Sequence, residues 1–357
     1  MRNLASIQRI KKIEPIEGAD MIELATVLGW HVVVAKKDNF KVGDLVVYCE
    51  IDSILPSDNP YFAFLEGKRI KTKRLRGVYS QGICFPTYIL EGLNVNIEEG
   101  VDVTDALKVE KYVPTPPNDW YKHMGNDRPN KWYMRFAIGR WFWKKFLYKP
   151  KTGAFPNWIN KTDQTRVQVL QDVLDAWKGT KCQYTEKIDG SSITFWLDDN
   201  DKLHVCSRNQ EIFVKEHFFY QTAEKLIDNL KKTDRNTIFQ GEIIGPNIQS
   251  NKYKLTTFKI YVFQASKAGE YFTPYEFTNL CNKCGLTQAP VLGELILGND
   301  IDELVKLAEG TSKLAKIQRE GIVIRPLENI KINDKRFIED RISFKAINPK
   351  FLLKYDE

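Results

Sequence analysis

Glu186-Lys187-Ile188-Asp189-Gly190-Ser191-Ser192 is the stretch on which the reading of this 357-residue chain turns. Alone it is a weak signal. Lys-x-Asp-Gly recurs by chance, and its plain reading is a bend between strands, with Asp189-Gly190 turning the chain and Lys187 in solvent. Its company downstream changes the reading: Ser207-Arg208-Asn209, then Phe239-Gln240-Gly241-Glu242-Ile243-Ile244-Gly245-Pro246, then the aromatic strand Phe258-Lys259-Ile260-Tyr261-Val262-Phe263. Glu320-Gly321-Ile322-Val323-Ile324-Arg325 and Ser343-Phe344-Lys345-Ala346-Ile347 close the series.

The pattern around the stretch is that of strands. Ile193, Phe195 and Leu197 alternate, Asp198-Asp199-Asn200-Asp201 supplies a turn, and Leu203, Val205 and Ser207 continue a hairpin. Upstream, Val167, Leu170, Leu174 and Trp177 recur at spacings of three and four, which predicts a helix over 162–179 capped by Thr162 and ended by Gly179. A second helix is predicted from about 215 to 230 before a strand group ending near Phe263, and a third from Thr273-Pro274 to Gly285. The fold expected for 161–357 is α+β with mixed, largely antiparallel sheets.

In this order the segments resemble the motifs of the covalent nucleotidyltransferases: DNA ligases, RNA ligases and mRNA capping enzymes. The resemblance implies that Lys187 becomes linked to AMP, that Glu186 lies against the nucleotide, that Arg208 contacts the ribose or an incoming 5′-phosphate, and that Phe263 stacks on adenine. The bland alternatives are a surface hairpin arginine at 208 and a core ring at 263. The chemistry is coherent without the family. A lysine attacks the α-phosphorus of a nucleoside triphosphate only when neutral, so a nearby cation or burial must lower its pKa. Lys345 and a divalent metal, Mg²⁺ or Mn²⁺, are the expected agents. Asp189, Glu242 and Glu320 are the carboxylates expected to hold the metal or its waters, and Lys345 would also neutralise charge on the α-phosphate.

The branch expected is the ATP-dependent RNA ligases. DNA ligases and capping enzymes carry an OB domain after the last motif, whereas only ten residues separate Ile347 from Glu357 and the barrel-like region comes first. That order resembles the Naegleria and Deinococcus type of RNA ligase. Phe155-Pro156 and Lys161-Thr162-Asp163-Gln164-Thr165-Arg166 resemble the lead-in segment of that family, which implies that Arg166 reaches a phosphate of ATP. Ile347 departs from the pattern, standing where related ligases often have a second lysine. The activity implied is sealing of RNA breaks bearing 3′-OH and 5′-phosphate, as in nick repair. A DNA ligase or guanylyltransferase is the alternative enzyme, and a binding protein with an inactive nucleotidyltransferase domain the alternative outside enzymes.

Residues 1–110 read as short strands with turns between them. Val32-Val33-Val34-Ala35 and Leu45-Val46-Val47-Tyr48-Cys49 are β-rich, with Lys36-Lys37-Asp38-Asn39 and Gly43-Asp44 as turns. A small barrel or sandwich is expected, and Val42 to Tyr48 resembles the barrel-closing strand of OB-type nucleic-acid-binding domains, which implies the barrel. Lys68-Arg69-Ile70-Lys71-Thr72-Lys73-Arg74-Leu75-Arg76 is the densest positive run. Read as one strand, it places Arg69, Lys71 and Lys73 on one face, and with Arg74 and Arg76 it would follow a phosphate backbone. Residues 111–160, rich in Trp, Tyr and Phe among lysines and arginines, are expected to be an aromatic and basic linker.

The bulk figures agree with a globular chain having a polyanionic partner: net charge +7, 43% hydrophobic and 28% charged residues. No apolar run spans a bilayer and no secretory signal precedes the first charges, so a cytoplasmic protein is expected; a monomer is expected as its state. Cys281 and Cys284 are the only close cysteine pair and lack a second pair of zinc ligands.

Overall fold

The structure is a computed structural model and describes residues 3–113, 135–142, 151–337 and 339–355. Most of the aromatic linker, including Trp120, Tyr121, Trp132, Tyr133, Trp143, Phe146 and Tyr148, lies outside the described residues.

The N-terminal strands are β1 (Ala5–Pro15), β2 (Ile22–Val27), β3 (Trp30–Ala35), β4 (Leu45–Cys49), β5 (Ser53–Ile54), β6 (Lys73–Leu75), β7 (Val78–Ser80), β8 (Ile83–Pro86) and β9 (Glu110–Lys111). Five of them form one curled sheet in the order β3-β2-β1-β4-β8. β1 is long enough to serve two neighbours. Ala5 to Arg9 pair with β4, Ile10 to Pro15 pair with β2, and a register shift between Ile10 and Lys12 bends the strand from one to the other. Strict inward alternation along β3 buries Trp30, Val32 and Val34. With Tyr48, Phe62, Ile7, Ile10 and Ile51 they fill the core of an OB-fold barrel. Gly82, at φ +108°, is where the chain closes on that core: a Cβ there would sit 2.4 Å from the Tyr48 ring.

The basic run does not form a single strand. Only Lys73–Leu75 is extended, pairing with β7 in a short hairpin that turns through Arg76 at φ 46°. Ile70 is instead pulled into the core, its amide bonded to Ser53 O at 2.8 Å.

The remaining strands are β10 (Thr152–Ala154), β11 (Thr165–Arg166), β12 (Lys181–Lys187), β13 (Ser191–Leu197), β14 (Leu203–Cys206), β15 (Gln210–Ile212), β16 (Ile238–Ile244), β17 (Lys259–Lys267), β18 (Glu270–Tyr271), β19 (Val291–Ile296), β20 (Gly321–Pro326) and β21 (Phe344–Ile347). They make a seven-stranded antiparallel sheet, β10-β15-β14-β13-β16-β17-β18, and a five-stranded sheet, β11-β21-β20-β12-β19. In the latter only β11–β21 is parallel. The architecture is therefore α+β with mixed, largely antiparallel sheets.

The predicted hairpin over 193–207 is present as β13 and β14. The third helix, Pro274–Cys284, carries a reciprocal capping box between Thr273 and Glu276 and ends at Gly285 with φ 71°. Its Cys281 and Cys284 face the core with Phe277. The second is broken into Phe218–Glu224 and Ile227–Leu230. The first is corrected most. Helix is confined to Gln171–Ala176, because Thr165–Arg166 is drawn into the sheet as the parallel partner of Phe344–Lys345. Thr162 bonds the Ser192 hydroxyl at 3.0 Å and caps nothing. That pairing partner stands about 180 residues away in sequence, and local periodicity carries no information about it.

The barrel touches the helical elements beside the five-stranded sheet directly. The Gly29 amide donates to Gln168 O at 2.8 Å, His31 reaches Asp302 at 3.4 Å, and Leu352 packs on the barrel core. Among the described residues no helix is long and apolar enough to cross a membrane.

Candidate active site

Lys187 is the last residue of β12, the strand flanked by β19 and β20 in the five-stranded sheet. Opposed residues of paired strands share a face. Thr185 lies opposite Val323, Val323 opposite Lys345, and Lys345 opposite Arg166. Lys187, two residues beyond Thr185, therefore shares its face with Lys345 and Arg166. Two glycines permit this closeness. At Gly321, paired with Lys187, a Cβ would meet Ala346 O at 2.3 Å. At Gly190, a Cβ would meet Ile243 O at 2.5 Å, Ile244 Cγ2 at 2.6 Å and Glu242 Cγ at 2.8 Å. The bend after the lysine can press on β16 only because residue 190 has no side chain.

The charges converge here. Lys187 Nζ donates to Glu320 Oε1 at 2.6 Å. Burial works to lower the lysine's pKa, but Glu320, Glu242 and Asp189 outweigh it and the net shift is upward. The opposite holds at Lys345, where burial, then the charges of Lys187 and Arg166, bring the pKa down to about 7. The sequence reading had Lys345 lowering the pKa of Lys187. In the structure Glu320 sits on Lys187 and raises its pKa, while burial and the charges of Lys187 and Arg166 lower that of Lys345. Burial, with Glu320 and Asp189, pushes the Glu242 carboxyl up to about 8 against the pull of Lys187. Burial likewise raises Glu320.

Asp189 is turned toward Lys252, whose Nζ lies 2.5 Å from Oδ2. Its amide donates to the Tyr253 hydroxyl at 3.0 Å. Among the described residues no three His, Cys, Asp or Glu stand close enough to hold a metal ion by themselves. The donors still suit a hard divalent ion that keeps waters and takes phosphate oxygens. Glu242 and Glu320 are half-buried carboxylates whose pKa values are raised first by burial, with neighbouring carboxylates adding to it, and Glu320 Oε2 is buried with no partner among the described residues.

The other residues expected at the nucleotide, Phe263, Glu186, Arg208 and Arg166, take four different positions. Phe263, on β17, is half-buried in the cleft cluster with Ile188, Ile244 and Tyr253, and Arg325 lies over its ring at 5.8 Å. Glu186 faces away from Lys187 and is 2% exposed, accepting hydrogen bonds from the Ser312 hydroxyl and the Lys313 amide, the latter at 2.8 Å. It anchors the 312–317 loop, whose Leu314, Ala315 and Ile317 join the cleft cluster. Arg208 is exposed and holds both oxygens of Asp163 at 2.6 Å. Arg166 donates to Asp52 Oδ2 of the barrel at 3.2 Å.

In the basic run, Lys73, Arg74 and Arg76 are exposed and Lys71 is half-buried. Arg69 is turned inward onto Asp52, at 2.6 Å. Arg74 and Tyr79 are near enough to Lys350, at the head of the C-terminal helix, to act on its charge. The exposed hairpin therefore lies near the C-terminal helix. Lys252, Asp52 and Ser312 were missed by the sequence reading. None sits in a recognisable pattern, and each gains its place from a contact at least 63 residues away.

Comparison with known proteins agrees with this geometry. A family model described as an OB-fold domain matches residues 4–87, and one described as RNA ligase matches residues 180–347. Among solved structures, a variant of Naegleria gruberi RNA ligase with AMP and Mn is 32% identical over 99% of this chain and 99% of that one, with a TM-score of 0.81. A second variant of that enzyme, with ATP and Mn, matches with the same figures. Naegleria gruberi RNA ligase with PPi matches over 100% of this chain and 99% of that one, at 32% identity and a TM-score of 0.80. No curated protein sequence matches.

Proposed function

The chain belongs to the RNA ligase family, and from that premise we propose that it seals RNA breaks ending in 3′-OH and 5′-phosphate through AMP carried on Lys187. The observation that carries the reading is Lys187 at the end of β12, bonded to Glu320 at 2.6 Å and sharing its sheet face with Lys345 and Arg166. A nucleophile, an acceptor for its proton and two cations for phosphate thus stand together.

ATP enters the cleft between the two sheets, with adenine against Phe263 and the polyphosphate toward Lys345 and Arg166. Its negative charge restores the proton on Lys345, whose pKa of about 7 leaves it responsive to such a neighbour. The Lys187 proton lies along the hydrogen bond to Glu320 Oε1, which gives it a path off the nitrogen. The freed amine attacks the α-phosphorus, the bond to the β-phosphate oxygen breaks, and pyrophosphate leaves while Lys345 neutralises the transition state. Glu242, Glu320 and Asp189 would hold Mg²⁺ or Mn²⁺, which would supply further charge neutralisation at the phosphates. The lysyl-AMP then passes to the 5′-phosphate of an RNA end, and a 3′-OH displaces AMP to join the strands.

Arg208 meets the incoming 5′-phosphate by exchanging its partner Asp163. Residues 1–110 bind the RNA backbone through Lys71, Lys73, Arg74 and Arg76. Residues 161–357 carry out the nucleotidyl transfer.

The test is incubation with α-labelled ATP or GTP and a divalent metal, followed by denaturing electrophoresis. Label is expected from ATP in the parent and absent in Lys187→Ala, and the labelled protein should seal a nicked duplex with an RNA 3′ end. A parent freed of bound AMP that takes no label, or a Lys187→Ala variant that labels equally, overturns the reading.

A further inference from the structure

We propose that Asp52 is a positioning residue for Arg166, through which the OB-fold barrel sets how strongly the triphosphate is held beside Lys187. The inference rests on the function proposed above. Arg166 ends β11 opposite Lys345, so its side chain stands on the nucleotide face of the sheet. The carboxylate that holds it belongs to the other end of the chain, 114 residues earlier.

Asp52 is itself held firmly. Its φ of 72° is a left-handed conformation that Asp and Asn tolerate better than most residues. Its amide donates to Ile70 O at 2.9 Å, and its carbonyl accepts from the Tyr112 amide at 2.8 Å. One carboxylate oxygen takes Arg69 Nη2 at 2.6 Å and Nε at 3.1 Å, and the other takes Arg166 Nη2 at 3.2 Å. The side chains of all three are 20% exposed or less, so water screens these contacts weakly. Rings support both guanidinium groups: Tyr112 lies 4.4 Å from Arg69 and Trp30 lies 5.5 Å from Arg166.

Asp52 is shared between the two arginines and lies farther from Arg166 than from Arg69, so Arg166 is oriented while its guanidinium keeps its attraction for phosphate. The arrangement also withdraws Arg69 from the RNA-facing run and commits it to the catalytic step. Other contacts, Gly29 to Gln168 and His31 to Asp302, already join the barrel to the sheets. The Asp52 contact differs in landing on a side chain aimed at the nucleotide.

A positioning role is separable from a structural one because triphosphate is present only in the first step. Pyrophosphate leaves with lysyl-AMP formation, so joining of an RNA end already carrying AMP does not use Arg166 in this way. Asp52→Asn keeps the size and the left-handed backbone but turns an NH₂ donor toward one of the two guanidinium groups. The ATP concentration for half-maximal labelling of Lys187 is expected to rise by about tenfold or more, the loss of roughly one charge-assisted hydrogen bond, with the maximal rate within about twofold of the parent. Sealing of a nicked duplex carrying a pre-adenylylated 5′ end should proceed at the parental rate.

Parental ATP dependence in Asp52→Asn overturns the proposal. So does an equal loss in both assays, which assigns Asp52 to holding the domains together. A parent that takes no label from ATP overturns the underlying function instead.

Discussion

Substituting Gly190 with alanine tests whether the bend after Lys187 is a steric requirement. The added Cβ meets three atoms of β16 residues at 2.5, 2.6 and 2.8 Å, and the shortest must open by about 0.9 Å to reach the 3.4 Å at which ordinary contact begins. That shortest contact is to the carbonyl of Ile243, which is paired with Ser191 in the sheet and cannot rotate aside as a side chain would. Either the Lys187 bend or β16, carrying Glu242, must shift. Overpacking of this kind costs about 1–3 kcal/mol. For a catalytic unit near 200 residues that lowers the melting midpoint by a few to about ten degrees. A displacement near 1 Å of a group beside the reacting atoms costs on the order of 100-fold in rate. The assay is single-turnover transfer of label from α-labelled ATP to Lys187, run below the melting transition of the variant with its circular dichroism checked against the parent. A Gly190→Ala protein that labels within about twofold of the parent would refute the argument, since the lysine would then be indifferent to the spacing of β12 and β16.

Glu186→Ala leaves the Ser312 hydroxyl and Lys313 amide without their acceptor at a buried site, at a cost of about 1–3 kcal/mol. The half-saturating ATP concentration should rise as the 312–317 loop releases the cleft wall. An unchanged melt measured beside the ATP titration would remove Glu186 from that anchoring role. For His31, the hydrogen bond to Asp302 comes first among causes that raise its pKa above 6.5, with burial and Lys12 opposing and Glu14 assisting. The stabilisation is therefore fully present below about 6.5 and lost as pH rises through the raised value, while the lowered pKa of Asp302 keeps the pair intact down to acid pH. His31→Gln should lower the melting temperature by a degree or two at pH 5.5 and leave it unchanged at pH 8.5. The pair is worth at most about 1 kcal/mol because Asp302 is 66% exposed. Equal lowering at both pH values would rule out the ion pair as the cause.

Much of this protein is legible along the chain. The alternation of Ile193, Phe195 and Leu197 around an Asp-rich turn specifies the hairpin, because strand periodicity and turn chemistry are local properties. Thr273-Pro274, Glu276 and Gly285 specify a helix at both ends for the same reason. The motif order also singles out Lys187, Glu242, Glu320 and Lys345 as the candidates for the chemistry. What tertiary structure alone decided is which charges meet. The helical spacing of Val167, Leu170 and Leu174 is real, and those residues are buried, yet Thr165 and Arg166 became a strand because β21 needed a parallel partner. Arg69 looked like a member of an RNA-facing stripe and instead shares Asp52 with Arg166. The pKa of Lys187 is raised and that of Lys345 lowered, because Glu320 stands 2.6 Å from one amine while burial and like charge act on the other. Periodicity and residue chemistry are written into neighbouring residues, whereas Coulomb energies depend on distance and burial, and both exist only once the sheets and the barrel have closed on one another.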